Sequence, residues 1–150
     1  MEEIEFGDGT LLTSSAIIEK FVADQATSGD DDIITGYLND TLYGGTGNDT
    51  LNGEFGSDTY LYASGDGDDV ITDSSWSSSQ NDRLVFTDLN AIDLSFGRNS
   101  DDDLVISILS GGSITVVDHF ASSNTDMELF EFADGTIWTA TDVSNEYVWL

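Results

Sequence analysis

Cysteine is missing from this 150-residue chain, which excludes disulfides and thiolate metal sites. Basic residues are nearly missing too. Lys20, Arg83 and Arg98 stand against 30 acidic residues, giving a net charge of −27. Phosphate recognition needs basic clusters, so nucleic-acid binding is excluded, and an anionic membrane surface is disfavoured on the same ground. No apolar run is long enough to span a bilayer, so membrane insertion is not expected, and the N-terminus lacks the pattern of a cleavable signal peptide. What is present suffices for folding. Apolar residues make up 39% of the chain, enough for a core, and the length fits one domain or two small subdomains.

Asp outnumbers Glu by 22 to 8. A merely solubilising surface has no reason to prefer the shorter carboxylate, whereas a chelating turn does. No Lys or Arg lies between Lys20 and Arg83, and that interval holds a repeat. Gly44-Gly45-Thr46-Gly47-Asn48-Asp49-Thr50-Leu51-Asn52 matches the nonapeptide G-G-x-G-x-D-x-U-x, with U a large apolar residue. The phase holds on both sides. Thr35 to Tyr43 keeps Gly36, Asp40 and Leu42 but has Leu38 in place of the fourth-position glycine. Ala26 to Ile34 keeps Gly29, Asp31 and Ile33. Gly53-Glu54-Phe55-Gly56-Ser57-Asp58-Thr59-Tyr60-Leu61 is in phase, with Glu54 at the second position. After a two-residue slip at Tyr62-Ala63, Ser64 to Thr72 supplies Gly65, Gly67, Asp69 and Ile71.

The residue types set the chemistry. Glycines at the first, second and fourth positions permit a tight, partly left-handed turn that a Cβ would obstruct. Such a turn points backbone carbonyls inward, and the sixth-position aspartate adds a short carboxylate. Calcium is a hard cation that takes about six to eight oxygens, and this donor set suits it. The candidate metal residues are therefore Gly29, Asp31, Gly36, Asp40, Gly44, Gly45, Thr46, Gly47, Asn48, Asp49, Gly53, Phe55, Gly56, Asp58, Gly65, Gly67 and Asp69. Two nonapeptides make one coil, so turns on one edge come from alternate repeats. The pairs expected to share an ion are Asp31 with Asp49, Asp40 with Asp58, and Asp49 with Asp69, for about two to four calcium ions. The apolar residues expected to stack are Ile33, Leu42, Leu51, Tyr60 and Ile71. Self-repulsion opposes compaction, so the metal-free repeats are expected to be largely disordered and to fold as cations neutralise them. Modules with calcium affinities of about 10⁻⁴–10⁻³ M work outside cells, which points to an extracellular role reached without a conventional signal.

Beyond the serine-rich stretch Ser74 to Gln80 the pattern changes to alternating strands. Strands are expected at Arg83–Phe86, around Leu94–Phe96, and at Leu104–Leu109, Ile114–His119 and Glu128–Phe132. Ser110-Gly111-Gly112-Ser113 closes a hairpin, and Ala133-Asp134-Gly135 begins another turn. Thr139 to Leu150 reads as a short helix capped by Thr141 or Asp142. This half is expected to cover the open end of the coil, whose backbone and apolar groups would otherwise be exposed. A longer repeat also runs through the chain: Glu5-Phe6-Gly7-Asp8-Gly9-Thr10-Leu11-Leu12-Thr13 resembles Glu131-Phe132-Ala133-Asp134-Gly135-Thr136-Ile137-Trp138-Thr139, 126 residues later. The expected division is residues 1–25 as the tail of a preceding module, 26–73 as the calcium-binding roll and 74–150 as a β-rich capping region. Neighbouring modules of the same chain are then the natural partners.

These residues resemble the RTX (repeats-in-toxin), haemolysin-type calcium-binding family. The resemblance is specific across residues 26–73, including the D-G-x-D core of Asp66-Gly67-Asp68-Asp69, and it extends over residues 82–139 to the related region that often follows such repeats. Its carriers there are Asp82-Arg83-Leu84, Asp102-Asp103-Leu104-Val105-Ile106, Ile114 to Phe120, and Phe130 to Thr136. The resemblance implies an all-β fold, a right-handed parallel β-roll followed by a β-rich capping region. It further implies calcium-induced folding, export unfolded through a bacterial type I secretion channel, and refolding outside the cell.

Two other functions compete with a calcium-binding structural module. An enzyme needs a nucleophile, base or activated water in a defined geometry. His119 beside Asp118 superficially suggests a hydrolase, but there is no G-x-S-x-G elbow. Relatives usually carry an aromatic at the place of His119, which implies packing, so no catalytic activity is expected. The other competitor is a calcium-stabilised adhesin. Trp76, Trp138, Trp149 and Tyr43 could stack on an extracellular glycan, although aromatics at strand ends more often fill a core.

Overall fold

The computed structural model describes residues 26–73, 80–121 and 127–146, together with strand backbones at 3–5, 11–13 and 148–149. Each nonapeptide ends in a short segment that alternates in burial, and each such segment forms a strand. These are β3 (Asp32–Gly36), β4 (Thr41–Tyr43), β5 (Thr50–Glu54), β6 (Thr59–Tyr62) and β7 (Asp68–Thr72). The preceding glycine turn reverses the chain, so successive strands fall in different sheets. Strands β3, β5 and β7 pair in parallel in one sheet. Strands β4 and β6 pair in parallel in the other, where β8 (Arg83–Phe86) adds the next rung. This is an all-β parallel β-roll.

Parallel register places equivalent residues in columns. One column runs Ile33, Leu51, Ile71; the other runs Leu42, Tyr60, Leu84. All six are at most 2% exposed, so the five apolar residues expected to stack do so, with Leu84 as a sixth. Each coil has only a thin core of its own, and contact between coils supplies the burial that one coil cannot.

The remaining strands continue both sheets instead of forming separate layers. Strands β9 (Leu94–Arg98), β10 (Leu104–Ile108) and β11 (Ser113–Val116) form an antiparallel meander, with β11 lying parallel on β7. In the second sheet β12 (Leu129–Glu131) lies parallel on β8 and turns back into β13 (Ile137–Thr139). The hydrophobic columns therefore run on, through Val116 in the first sheet and Phe130 in the second. Phe86 stacks on Phe132 with ring centroids 5.5 Å apart, and Trp138 packs between Phe96 and Phe132.

Three expectations are corrected. The strand expected over Ile114–His119 ends at Val116, because Asp118 takes a left-handed backbone (φ 57°) that breaks the ladder. The helix expected to reach Leu150 is α1 (Ala140–Glu146), and Val148–Trp149 is strand β14, paired with β9. The residue that caps it is neither Thr141 nor Asp142. Thr139 Oγ1 accepts the Asp142 amide at 3.3 Å, while the Asp142 carboxylate accepts the Thr139 amide at 2.8 Å, a reciprocal capping box.

The N-terminal strands β1 (Glu3–Glu5) and β2 (Leu11–Thr13) form a hairpin in register Glu3↔Thr13, Ile4↔Leu12, Glu5↔Leu11. Shifted by 126 residues these are the pairs of the β12–β13 hairpin, Leu129↔Thr139, Phe130↔Trp138 and Glu131↔Ile137. The two resembling sequences thus build the same hairpin.

Leu84 sits between Tyr60 and Phe130 where the roll passes into the terminal strands. Truncation to Ala should lower the unfolding free energy by about 2–5 kcal/mol, read from urea denaturation at fixed calcium. A loss below about 1 kcal/mol would mean that the column does not continue across this rung.

Candidate metal centre

The turns stack along two edges of the roll. One edge carries Asp31, Asp49 and Asp69, and the other carries Asp40, Asp58 and Asp82. Within each column the amide of one aspartate donates to Oδ1 of the aspartate one coil further on. Asp31 N–H reaches Asp49 at 2.8 Å and Asp49 N–H reaches Asp69 at 3.0 Å. Asp40 N–H reaches Asp58 at 2.8 Å and Asp58 N–H reaches Asp82 at 2.9 Å. All three aspartate pairs expected from the sequence are therefore neighbours.

A second ladder, at the fifth position, runs the opposite way. The Asn48 amide donates to Asp30 and the Asp68 amide to Asn48 on one edge; the Ser57 amide donates to Asn39 and the Asn81 amide to Ser57 on the other. The Asn48 side chain is thus engaged in holding adjacent coils.

The first ladder occupies Oδ1 and leaves Oδ2. The Oδ2 atoms of Asp49, Asp58 and Asp82 are buried and have no hydrogen-bond partner. An unpaired buried carboxylate oxygen is costly, and a cation is the group that would satisfy it. The first-position glycines make the room: a Cβ on Gly44 would collide with Asp49 Oδ2, and one on Gly53 with Asp58 Oδ2. At the fourth position Gly47 has φ 140°, and a Cβ there would lie 2.5 Å from the Gly29 carbonyl oxygen. Gly67 likewise covers the Gly47 carbonyl, and Gly56 covers that of Leu38. Leu38 stands where the repeat has glycine, and its side chain is exposed. Glu54 keeps the left-handed backbone of a second-position glycine, at φ 62°.

Other candidates have roles on the backbone. The Gly36 carbonyl accepts the Phe55 amide at 2.9 Å, and Phe55 stacks on Tyr37 with centroids 5.0 Å apart. Gly45 bridges to Thr27 across coils. In the first turn Thr27 Oγ1 and its amide both donate to the Asp31 carboxylate. Thr46 is exposed, and Gly65 has a left-handed φ of 93° with open space around it. The Gly67 carbonyl takes the Ser113 amide at 3.0 Å and the Tyr62 hydroxyl at 2.8 Å.

Sequence reasoning missed Asp82, Asp73 and Asp66. Asp82 lies 24 residues after Asp58, because the slip at Tyr62-Ala63 and additional residues between Asp73 and Asp82 interrupt the nine-residue phase. Its signal was Asn81-Asp82-Arg83-Leu84, which repeats the Asn-Asp-x-Leu of Asn39 to Leu42 and Asn48 to Leu51. Asp58, Asp73 and Asp82 bring carboxylate oxygens within 4.8 Å of one another. Asp66 accepts the Ala63 amide at 2.7 Å and the Tyr43 hydroxyl at 3.3 Å.

Burial pushes the carboxyl groups of Asp58 and Asp82 up to about 7 and that of Asp69 to about 6, with neighbouring carboxylates adding to the shift. His119 is buried, which lowers its pKa to about 4; its Nδ1 accepts the Met127 amide at 3.2 Å, and its ring meets Phe120 and Phe130 edge-on.

The calcium-binding nonapeptide repeat family, four copies of the RTX repeat, matches residues 25–60. The chain carries RTX calcium-binding repeats. The haemolysin-type calcium binding protein related domain matches residues 103–142, within the strands that close the roll. A comparison with curated proteins gives no significant match. The orphaned oxygens and the glycine-lined space beside them fit the RTX family's ion, which Asp49, Asp58 and their column neighbours would hold through their carboxylates.

The raised carboxyl pKa values fix the direction of a pH effect. Asp58, Asp69 and Asp82 hold protons more tightly in the folded, metal-free chain than in the unfolded one. That contribution to stability is fully present below about pH 4 and is lost as pH rises through 6 to 7. In chelator the folded fraction should therefore rise on going from pH 8 to pH 5.5, measured by circular dichroism. A folded fraction that falls over that range would contradict the burial of these carboxylates.

Proposed function

We propose that this RTX chain is a secreted structural module that crosses the bacterial envelope unfolded, by type I secretion, and folds on meeting extracellular calcium. The observation that carries the proposal is the set of buried Oδ2 atoms on Asp49, Asp58 and Asp82 that no protein donor meets. At low calcium each of these carboxylates meets the charge of acidic neighbours in a low-dielectric interior, and the chain has 30 acidic residues against 3 basic ones. Bound calcium supplies the positive charge and oxygen coordination that the columns lack. The chain's own residues do the rest: the glycines leave the cavities, the amide ladders aim the carboxylates, and the hydrophobic columns align successive turns. About two to four ions would serve the paired turns.

Neighbouring modules of the same chain complete the picture. The equivalence of the β1–β2 and β12–β13 hairpins supports a tandem array in which one module's tail precedes the next module's roll. Among the described residues no helix is long and apolar enough to cross a membrane. In this reading His119 packs the cap and takes part in no reaction. A glycan-binding module draws less support. Trp138 is packed against Phe96 and Phe132, and the side chains of Trp76 and Trp149 lie outside the described residues.

Circular dichroism during calcium titration of chelator-treated protein tests the proposal. The expected result is a cooperative rise in β-signal at about 10⁻⁴–10⁻³ M calcium, absent with magnesium. A chain fully folded in chelator would overturn folding on external calcium.

A further inference from the structure

The first position of a repeat turn calls for glycine, and in one turn that demand creates a chemically labile pair. A Cβ on Gly53 would collide with Asp58 Oδ2 and lie 2.6 Å from the Tyr60 hydroxyl, so the place is kept for glycine. The residue before it closes the preceding nonapeptide. At such junctions the chain carries Ile34-Thr35, Tyr43-Gly44, Asn52-Gly53 and Thr72-Asp73, with Asp73 in a first-position glycine's seat. Only the third joins a carboxamide to a glycine, and Asn52-Gly53 is the single Asn-Gly pair in the sequence.

Asparagine before glycine reacts with its own backbone. The following amide nitrogen, once deprotonated, attacks the side-chain Cγ. The new C–N bond closes a five-membered succinimide, and the side-chain nitrogen takes up a proton and leaves as ammonia. Water then opens the ring. Breaking the bond from nitrogen to Cγ gives aspartate; breaking the bond to the main-chain carbonyl gives isoaspartate, with the chain rerouted through the side chain. Glycine in the second place favours the reaction, because no Cβ hinders the nitrogen and the backbone turns freely.

The fold withholds the nucleophile. The Gly53 amide is buried and donates to the Tyr60 hydroxyl at 2.9 Å, and that hydroxyl donates in turn to Asp73 Oδ2 at 2.5 Å. A base in solvent does not reach a proton held in this chain of bonds. The electrophile is tied as well, since Asn52 Oδ1 accepts the Glu54 amide at 2.9 Å. Asn52 lies in β5 between β3 and β7, opposite Ile34 and Thr72, and Glu54 just beyond it has a left-handed φ of 62°. Closing the ring requires these pairings to open.

We propose that Asn52-Gly53 is a self-modification site governed by the fold, deamidating in the unfolded chain and shut off when the roll forms. It rests on the proposed calcium-driven folding for one point only, that calcium is what shuts it. The reaction runs one way. Isoaspartate adds a main-chain atom to the middle strand of three, so β5 no longer keeps both the Ile33, Leu51, Ile71 column and the Gly53 turn in register. A chain held unfolded loses its competence to fold with time, and a chain that folds promptly keeps it.

The test follows Asn52 in the full chain at mildly alkaline pH, in urea, in chelator and in saturating calcium. Peptide mass spectrometry with electron-transfer fragmentation separates aspartate from isoaspartate, and circular dichroism on the same samples gives the folded fraction. In urea Asn52 should convert faster than any other asparagine of the chain. Gly53→Ala, compared in urea where its effect on folding does not enter, should slow that conversion by about tenfold or more. In calcium without urea the parent should convert more slowly than in urea by about tenfold or more. In chelator the rate should follow the folded fraction; a chain folded there with Asn52 protected would overturn calcium-driven folding and support the fold-governed site. The isoaspartyl product, separated and returned to saturating calcium, should not recover the parent's β-signal. Equal conversion in the folded and the urea-unfolded chain, or an Asn52 no faster than the other asparagines in urea, would overturn the site. An isoaspartyl product that folds like the parent would overturn the loss of competence.

Discussion

The structure depends on an electrostatic conflict built into its two edges. Each coil places a buried aspartate above another of the same charge, and the amide ladder that orients them engages one oxygen only. The second oxygen of Asp49, Asp58 and Asp82 is left inside the protein without a donor. Hydrophobic columns one residue wide are a small return against that cost. A cation reverses the balance, because it turns mutual repulsion between coils into shared attraction. Under the proposed function folding and ion binding would be one process, with the acidic composition hindering compaction in a low-calcium compartment and favouring it in a calcium-rich one.

The cap ends the two edges differently. On the first edge, β11 pairs with β7 so that Ile114 stands opposite Asp69. The hairpin presents no carboxylate there, and Ser113 and Tyr62 take up the Gly67 carbonyl that a further turn would have covered. Gly112 supplies the close approach, since a Cβ on it would lie 2.7 Å from that same carbonyl oxygen. On the second edge Glu128 falls beside Asp82 and accepts its amide, so the acidic ladder continues one rung into the cap. One edge is closed by an apolar side chain and backbone hydrogen bonds; the other stays anionic to its end.

The roll was legible in the sequence because a nine-residue phase carries both the glycines and the apolar residues. Ile33, Leu42, Leu51, Tyr60 and Ile71 could be placed in the core without coordinates. The aspartate pairs followed from alternate repeats sharing an edge. Legibility failed where the phase slipped. Asp82 belongs to the same column as Asp40 and Asp58, but a sequence interval longer than two repeats displaces it. Asp73 sits in a glycine seat and conveys nothing by spacing alone. The exchange of Ile114 for an aspartate depends on which strand lands on β7, a tertiary fact that local pattern does not encode. The same holds for the helix: Thr139 caps it through a reciprocal bond with Asp142, and β14 follows because β9 offers a free edge.

The central claim is that a single buried charge opposes the fold without the ion and supports it with the ion. Asp49→Asn removes that charge while keeping an Oδ1 acceptor for the Asp31 amide. The most direct measurement is the folding equilibrium of this variant against the parent, by circular dichroism in urea, once in chelator and once in saturating calcium. The account predicts a reversal of sign, the variant more folded than the parent in chelator and less stable in calcium. Equal destabilisation in both conditions would contradict it, because Asp49 would then be holding the turn by hydrogen bonding alone.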